Sequence, residues 1–235
     1  MKISFFCWKE IFFRCECASQ VWSCAWNLDD PNIIYAGLSN GRVQVFDRRQ
    51  ISAGETTLSS SSETLSLSTT SPIVSLQYIQ KNNHFQSSGL IVGSNEKCGF
   101  YEYIPNSEYR YHALPIDSKM SNLFFCVKSK IFDWIENLSS LHYDSTTNRL
   151  LASFRPPSSP ARHELYELIT RPIEDSEQSF IVSLQLIQTF LGSSINIVLS
   201  RSKIIHKNFE TYIVASDNGS HGVIISFFPL KFSLS

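Results

Sequence analysis

Six histidines, at positions 84, 112, 142, 163, 206 and 221, are the side chains of this 235-residue sequence best suited to move a proton or ligate a metal near neutral pH. None stands in an H-E-x-x-H pattern or in a carboxylate constellation suited to a proton relay, and His163-Glu164 reads simply as the start of a strand. The six cysteines, Cys7, Cys15, Cys17, Cys24, Cys98 and Cys126, crowd toward the N-terminus without the C-x-x-C spacing that brings two thiolates onto one zinc ion. No zinc site is predicted, and the thiols are expected to be reduced, several of them filling the core. Phosphate-cradling glycine loops are absent too. No catalytic site or cofactor is therefore expected within these residues.

Charge narrows the partners. Twenty Lys and Arg nearly cancel twenty-one Asp and Glu, giving a formal charge of −1, which removes the basic footprint of a protein that grips nucleic acid or an anionic membrane. The one mildly basic stretch, Arg201, Lys203, His206 and Lys207, is expected to be a solvated loop. No run of 18 apolar residues is present, so no helical membrane span is predicted. Asp47 and Asp217 adjoin strand ends or turns, where a carboxylate accepts backbone N–H bonds and holds a corner. Trp22 and Trp26, four apart on a strand, should share one face and pack in a core.

The elements that carry these residues read as β. Aromatic residues make up 13 % of the chain with Phe far ahead, and only 17 % is charged, which favours sheets with well-filled faces. Residues 21–26, 33–38 and 42–46 read as three strands, the last two joined through Asn40-Gly41, a dipeptide that supplies positive φ in a tight turn. A similar unit recurs at 72–78, 89–93 and 99–103. It recurs again at 138–144, 149–155 and 163–170, and once more at 194–199, 211–216 and 223–227. The unit starts lie about 50 to 65 residues apart, against ~40 to 45 for a standard propeller blade, so the surplus is assigned to connections. Those are the Ser/Thr-rich run at 56–71, the Pro-rich 155–162 and the acidic 172–178, all expected to be surface loops.

The first unit ends in Phe46-Asp47 where a WD repeat ends in Trp-Asp, and residues 36–41 (AGLSNG) stand where such repeats carry a small-residue strand and an Asp-Gly turn. The chain resembles a WD40 protein. The phrases VWSCAWNLDDPNIIYAGLSNGRVQVFD, PIVSLQY, HALPI, LLASFRP and TFLGS, in that order, are similar to the C-terminal propeller of the RING-finger and WD-repeat E3 ubiquitin ligases of the DNA-damage response. The likeness spans roughly residues 21–227, is dense in the first unit and thin elsewhere.

That resemblance implies an all-β fold: an incomplete WD40-type β-propeller of about four antiparallel blades, with Trp22, Trp26, Asn40, Gly41, Phe46, Asp47 and Asp217 as blade residues. Four units are too few for a seven-bladed ring, which takes about 300 residues, so blade faces and a strand edge are expected to be open. It also implies a nuclear, or otherwise cytoplasmic, substrate-recognition region of a RING-type ligase. Zinc is expected only in a RING domain outside this chain. Partners would be proteins, replication protein A and other repair factors among them, with neither nucleic acid nor membrane bound directly. Arg42, His142 and Arg155 are the candidate partner-binding residues, chosen from turn and loop position. The blade pattern equally allows a WD-repeat scaffold unconnected to ubiquitin. Residues 1–20, 118–133 and 228–235 fit the pattern poorly. The first stretch is expected to be non-native or disordered, the second a foreign insert in a loop and the third a disordered tail.

Overall fold

The computed structural model describes residues 2–7, 10–50, 57–58, 64–104, 108–116, 138–155, 160–173, 176–192, 201–207, 210–217 and 222–228. Four antiparallel sheets follow one another along the chain. The first blade contains β3 (Val21–Trp26), β4 (Ile33–Leu38), β5 (Arg42–Asp47) and β7 (Thr64–Ser66), and the second contains β8 (Ile73–Ile79), β9 (Gly89–Ser94), β10 (Cys98–Ile104) and β11 (Glu108–Leu114). The third is β12 (Leu138–Asp144), β13 (Arg149–Phe154), β14 (Arg162–Ile173) and β15 (Ser176–Leu191). The fourth is β16 (Lys203–Lys207), β17 (Glu210–Asp217) and β18 (Gly222–Phe228). A leading sheet pairs β1 (Lys2–Cys7) with β2 (Glu10–Glu16), and β2 runs parallel to the short β6 (Thr57–Leu58). The architecture is an incomplete β-propeller of about four blades.

The period of two along each strand explains how the blades stick together. Alternate residues of a central strand face opposite neighbours. Leu150 and Ala152 of β13 join the core shared with the second blade, together with Phe100, Phe85 and Leu114, whereas Leu151 between them joins Ile204 and Ile213 of the fourth. Likewise Phe100 faces the third blade and Tyr101 the first. Central strands are therefore buried on both sides, which is why they read as unbroken apolar runs and not as alternating ones.

Four expectations are corrected here. Lys2–Cys7 and Glu10–Glu16 form strands, and Cys15 and Cys17 are buried with Ile34, Ala36 and Phe46 against the outer face of the first blade. The Ser/Thr run contributes β7, whose Leu65 is buried, and Leu67 follows it into the same core, because two leucines suffice to fix a short edge strand on a preformed face. The acidic stretch at 172–178 is mostly strand, since β14 and β15 extend as one long hairpin. The basic stretch at 201–207 is largely β16, anchored by buried Ile204. The strand expected at 194–199, the stretches 118–133 and 156–159, and residues 229–235 lie outside the described residues.

Candidate functional site

Inner strands β3, β8, β12 and β16 are spliced side by side by side chains that bond to the next backbone. Ser23 Oγ donates to the Ile73 carbonyl at 2.7 Å, Leu141 N donates to Ser75 Oγ at 3.1 Å, and Ile204 N donates to His142 Nδ1 at 3.2 Å. Gln77 bonds both the amide and the carbonyl of Tyr143. Ahead of Ser23, Ser75 and Ser140, each inner strand carries a register shift at its second residue, Trp22, Val74 and Ser139. Such bulges re-aim the following side chain. The recurring triplets VWS, IVS and LSS were the signal for this device, and reading single strands misses it.

The bulge at Trp22 decides the fate of the two tryptophans. Trp22 is 50 % exposed, so the expected shared buried face is corrected. Trp26 packs against the core around Phe46, donates Nε1–H to the Pro31 carbonyl at 2.6 Å and lies 5.8 Å under the Arg48 guanidinium. Phe46 is fully buried. Gly41 has φ 78°, and a Cβ there would stand 2.0 Å from the Thr69 carbonyl oxygen, so Asn40-Gly41 is a turn only glycine completes. Asp47 accepts from the Arg49 amide at 2.9 Å and pairs with its guanidinium at 2.8 Å; that side-chain bond holds the carboxyl below its ordinary range. Asp217 pairs with Gly222 at the closing turn of the β17–β18 hairpin.

The three candidate partner residues are not brought together. Arg42 opens β5 directly after the turn and is exposed. His142 lies half-buried in the seam between β12 and β16; burial lowers its pKa, with Lys203 adding to the effect. Arg155, expected on a loop, is only 8 % exposed, and burial lowers its pKa as well. It lies near the fully buried His163, whose Nδ1 meets the Ser153 and Ser202 hydroxyls at 2.9 and 3.1 Å. Burial, aided by Arg155, lowers the His163 pKa to about 4.

Two arrangements resemble chemistry. Thr211 Oγ1, His206 Nδ1 and Nε2, and Asp144 Oδ2 form a chain with steps of 3.0 and 3.0 Å, the order of a hydrolase relay. Thr211 is 1 % exposed, so no substrate carbonyl reaches its hydroxyl, and the chain is an inter-blade clip. Cys15, Cys17 and Cys98 are buried free thiols, and burial pushes Cys15 up to about 12, far from the thiolate form a nucleophile needs. Among the described residues no group of three His, Cys, Asp or Glu is gathered as a metal would require.

What remains is a face. Antiparallel order puts the β4–β5 and β9–β10 turns and the β7–β8 connection at one end of the propeller, with Arg42, Glu96 and Lys97 exposed there. Beside them lies a cavity of about 460 Å³ lined by Leu67, Leu114, Ile116, Leu138 and Phe154 and rimmed by Ser68, Glu96 and Lys97. An apolar floor with a few charged groups at the mouth suits a protein side chain or small ligand.

Comparison with known proteins agrees with this architecture. The family described as the E3 ubiquitin-protein ligase RFWD3 WD40 domain matches residues 1–226. The chain is 30 % identical over 188 residues to E3 ubiquitin-protein ligase RFWD3 of Ailuropoda melanoleuca, covering 78 % of this chain and 21 % of that protein. It is 29 % identical to the Homo sapiens protein of the same name, again over 78 % of this chain and 21 % of the relative. The chain thus spans about a fifth of the length of these relatives. In fold it is similar to the computationally designed Ika4 protein, with a TM-score of 0.50 at 11 % identity, over 91 % of this chain and 94 % of that one.

Proposed function

Because the chain belongs to the WD40 domain family of the E3 ubiquitin-protein ligase RFWD3, we propose that it is the substrate-recognition region of a RING-type ubiquitin ligase acting in DNA repair and replication stress. In that role it makes and breaks no bond. It holds a substrate protein on a rigid surface, so that ubiquitin carried by an enzyme recruited through a zinc-binding RING domain meets a substrate lysine at high effective concentration. The match of residues 1–226 to the family carries this reading.

The geometry supports it. Side-chain splices between inner strands make the blades one stiff support, and the upper end gathers turns distant in sequence, the arrangement by which scaffolds present binding loops. A formal charge of −1 suits a protein partner better than a phosphate backbone. By resemblance the partner is replication protein A or another repair factor, and the place of action the nucleus.

The test is calorimetric titration of the purified chain with replication protein A. Saturable binding at micromolar concentration supports the reading. No heat at either of two temperatures, at about 100 μM of replication protein A and of each other repair factor titrated in the same way, overturns it and favours a WD-repeat scaffold unconnected to ubiquitin.

A further inference from the structure

The Ser/Thr run ends in Ser71-Pro72, and the fold sets that end against a carboxylate. Ser71 Oγ donates to Glu96 Oε1, and Thr69 Oγ1 donates to Glu96 Oε2 at 2.8 Å. Ser71 N in turn donates to Thr69 Oγ1 at 3.1 Å. One residue along the same turn, Lys97 Nζ donates to the Ser68 carbonyl at 3.0 Å. Glu96 and Lys97 belong to the β9–β10 turn of the second blade, whereas residues 68–71 leave the last strand of the first, so these bonds strap one blade to the next. Ser68 holds φ 54°, a conformation that non-glycine residues rarely adopt, with its amide donating to Ser66 Oγ at 3.2 Å. Beneath the strap lies the Gly41 turn, which has no room for a Cβ under the Thr69 carbonyl.

The strap lies within reach of solvent. Ser68, Thr70, Glu96 and Lys97 are exposed, and Thr69, Ser71 and Pro72 partly so. In the run at 56–71, Ser71 is the one hydroxyl residue followed by proline. Proline lacks an N–H and fixes its own φ, a local feature that a kinase cleft can select directly after the acceptor.

We infer that Ser71 is a phosphorylation site for a proline-directed serine/threonine protein kinase, and that the phosphoryl group unfastens the strap between the first two blades. In the kinase, Ser71 Oγ attacks the γ-phosphorus of ATP. The Oγ–P bond forms as the bond from the γ-phosphorus to the bridging oxygen breaks, ADP leaves, and the hydroxyl proton passes to the kinase's catalytic base. The product carries about −1.5 to −2 charges on three terminal oxygens, joined through an Oγ that has lost the proton it gave to Glu96. Two anions then occupy the space of one hydrogen bond. Glu96 turns away, Thr69 loses its acceptor, and Lys97 exchanges the Ser68 carbonyl for the phosphate. Ser68, Glu96 and Lys97 also rim the 460 Å³ cavity, so the same event reshapes its mouth.

The experiment treats the full chain with ATP and a mitogen-activated protein kinase, locates the phosphate by fragment mass spectrometry and follows amide hydrogen exchange. Phosphate at Ser71 of the folded chain is expected, and none there in Pro72→Ala. Exchange at the Ser71 amide and in the β9–β10 turn is expected to quicken about tenfold on phosphorylation. Two variants separate repulsion from simple loss of the bond. Unphosphorylated Ser71→Ala and phosphorylated Glu96→Gln should each quicken less than the phosphorylated parent. Absence of phosphate at Ser71, or unchanged exchange once it is there, overturns the inference.

Discussion

The side-chain amide of Gln77 donates to the Tyr143 carbonyl at 3.0 Å and accepts from the Tyr143 amide at 2.7 Å. One glutamine on β8 thereby supplies both halves of a β-bridge to β12, a strand that belongs to another sheet. Backbone groups left over between two blades would be partly buried and unmatched without it. The serine bonds from Ser23 and Ser75 do the same work at the upper end of the seams.

Gln77→Ala should therefore cost about 2 kcal/mol, because both Tyr143 backbone groups lose their partners at once. Urea titration of parent and variant measures it. A change below about 0.5 kcal/mol would show that packing alone holds the second and third blades together.

The buried His163 makes stability depend on pH in a defined window. Its pKa is lowered to about 4 from 6.5, chiefly by burial and further by Arg155. A base depressed on folding favours the unfolded chain wherever only that state is protonated. Its stabilising share is complete above pH 6.5, is lost as pH falls toward about 4 and changes no further below that. Denaturant titrations across the window should show the parent losing about 3 kcal/mol more than His163→Gln, whose side chain does not titrate.

Gly41→Ala should destabilise by about 2 kcal/mol or more. Positive φ and the Thr69 carbonyl, 2.0 Å from the new Cβ, oppose it together. Thermal melts check this, and a neutral outcome would mean that the β7–β8 strap is free to move aside.

Phe46→Ala and Trp22→Ala should differ sharply although both remove an aromatic ring from the first blade. Phe46 is 0 % exposed and its loss should cost about 3 to 5 kcal/mol, whereas Trp22 is 50 % exposed and should cost under about 1 kcal/mol. Equal losses measured by urea titration would contradict the bulge that turns Trp22 outward.

Arg42→Glu should weaken partner binding about three- to tenfold, with a smaller salt dependence and an unchanged melting temperature, because an exposed rim charge acts on encounter more than on folding. Arg155→Ala should instead lower the melting temperature, since its side chain is buried. Calorimetry paired with thermal melts separates the two, and unaltered affinity in Arg42→Glu removes that residue from the interface.

Strand identity was legible because it is local. The runs at 21–26, 33–38 and 138–144 match β3, β4 and β12 to the residue, and Asn40-Gly41 announces its turn, since side-chain alternation and the freedom of glycine act within a few residues. The number of blades followed from the order of those runs, and the family from the resemblance of the phrases they carry. Other features depend on partners far away in the chain. β7 is a strand because Leu65 meets a face built by β5 and β8, and β16 because Ile204 meets Leu151 and Leu165. Trp22 is exposed because a one-residue bulge, set by pairing with β4, breaks a period that the sequence alone presents as continuous. Arg155 lies buried beside His163 because β13, β14 and the segment before β16 converge there, and Glu96 meets Ser71 only because two blades stand side by side. Local chain stiffness and side-chain pattern determine the elements; which of their residues touch is decided by packing, where each contact requires a surface that another element supplies.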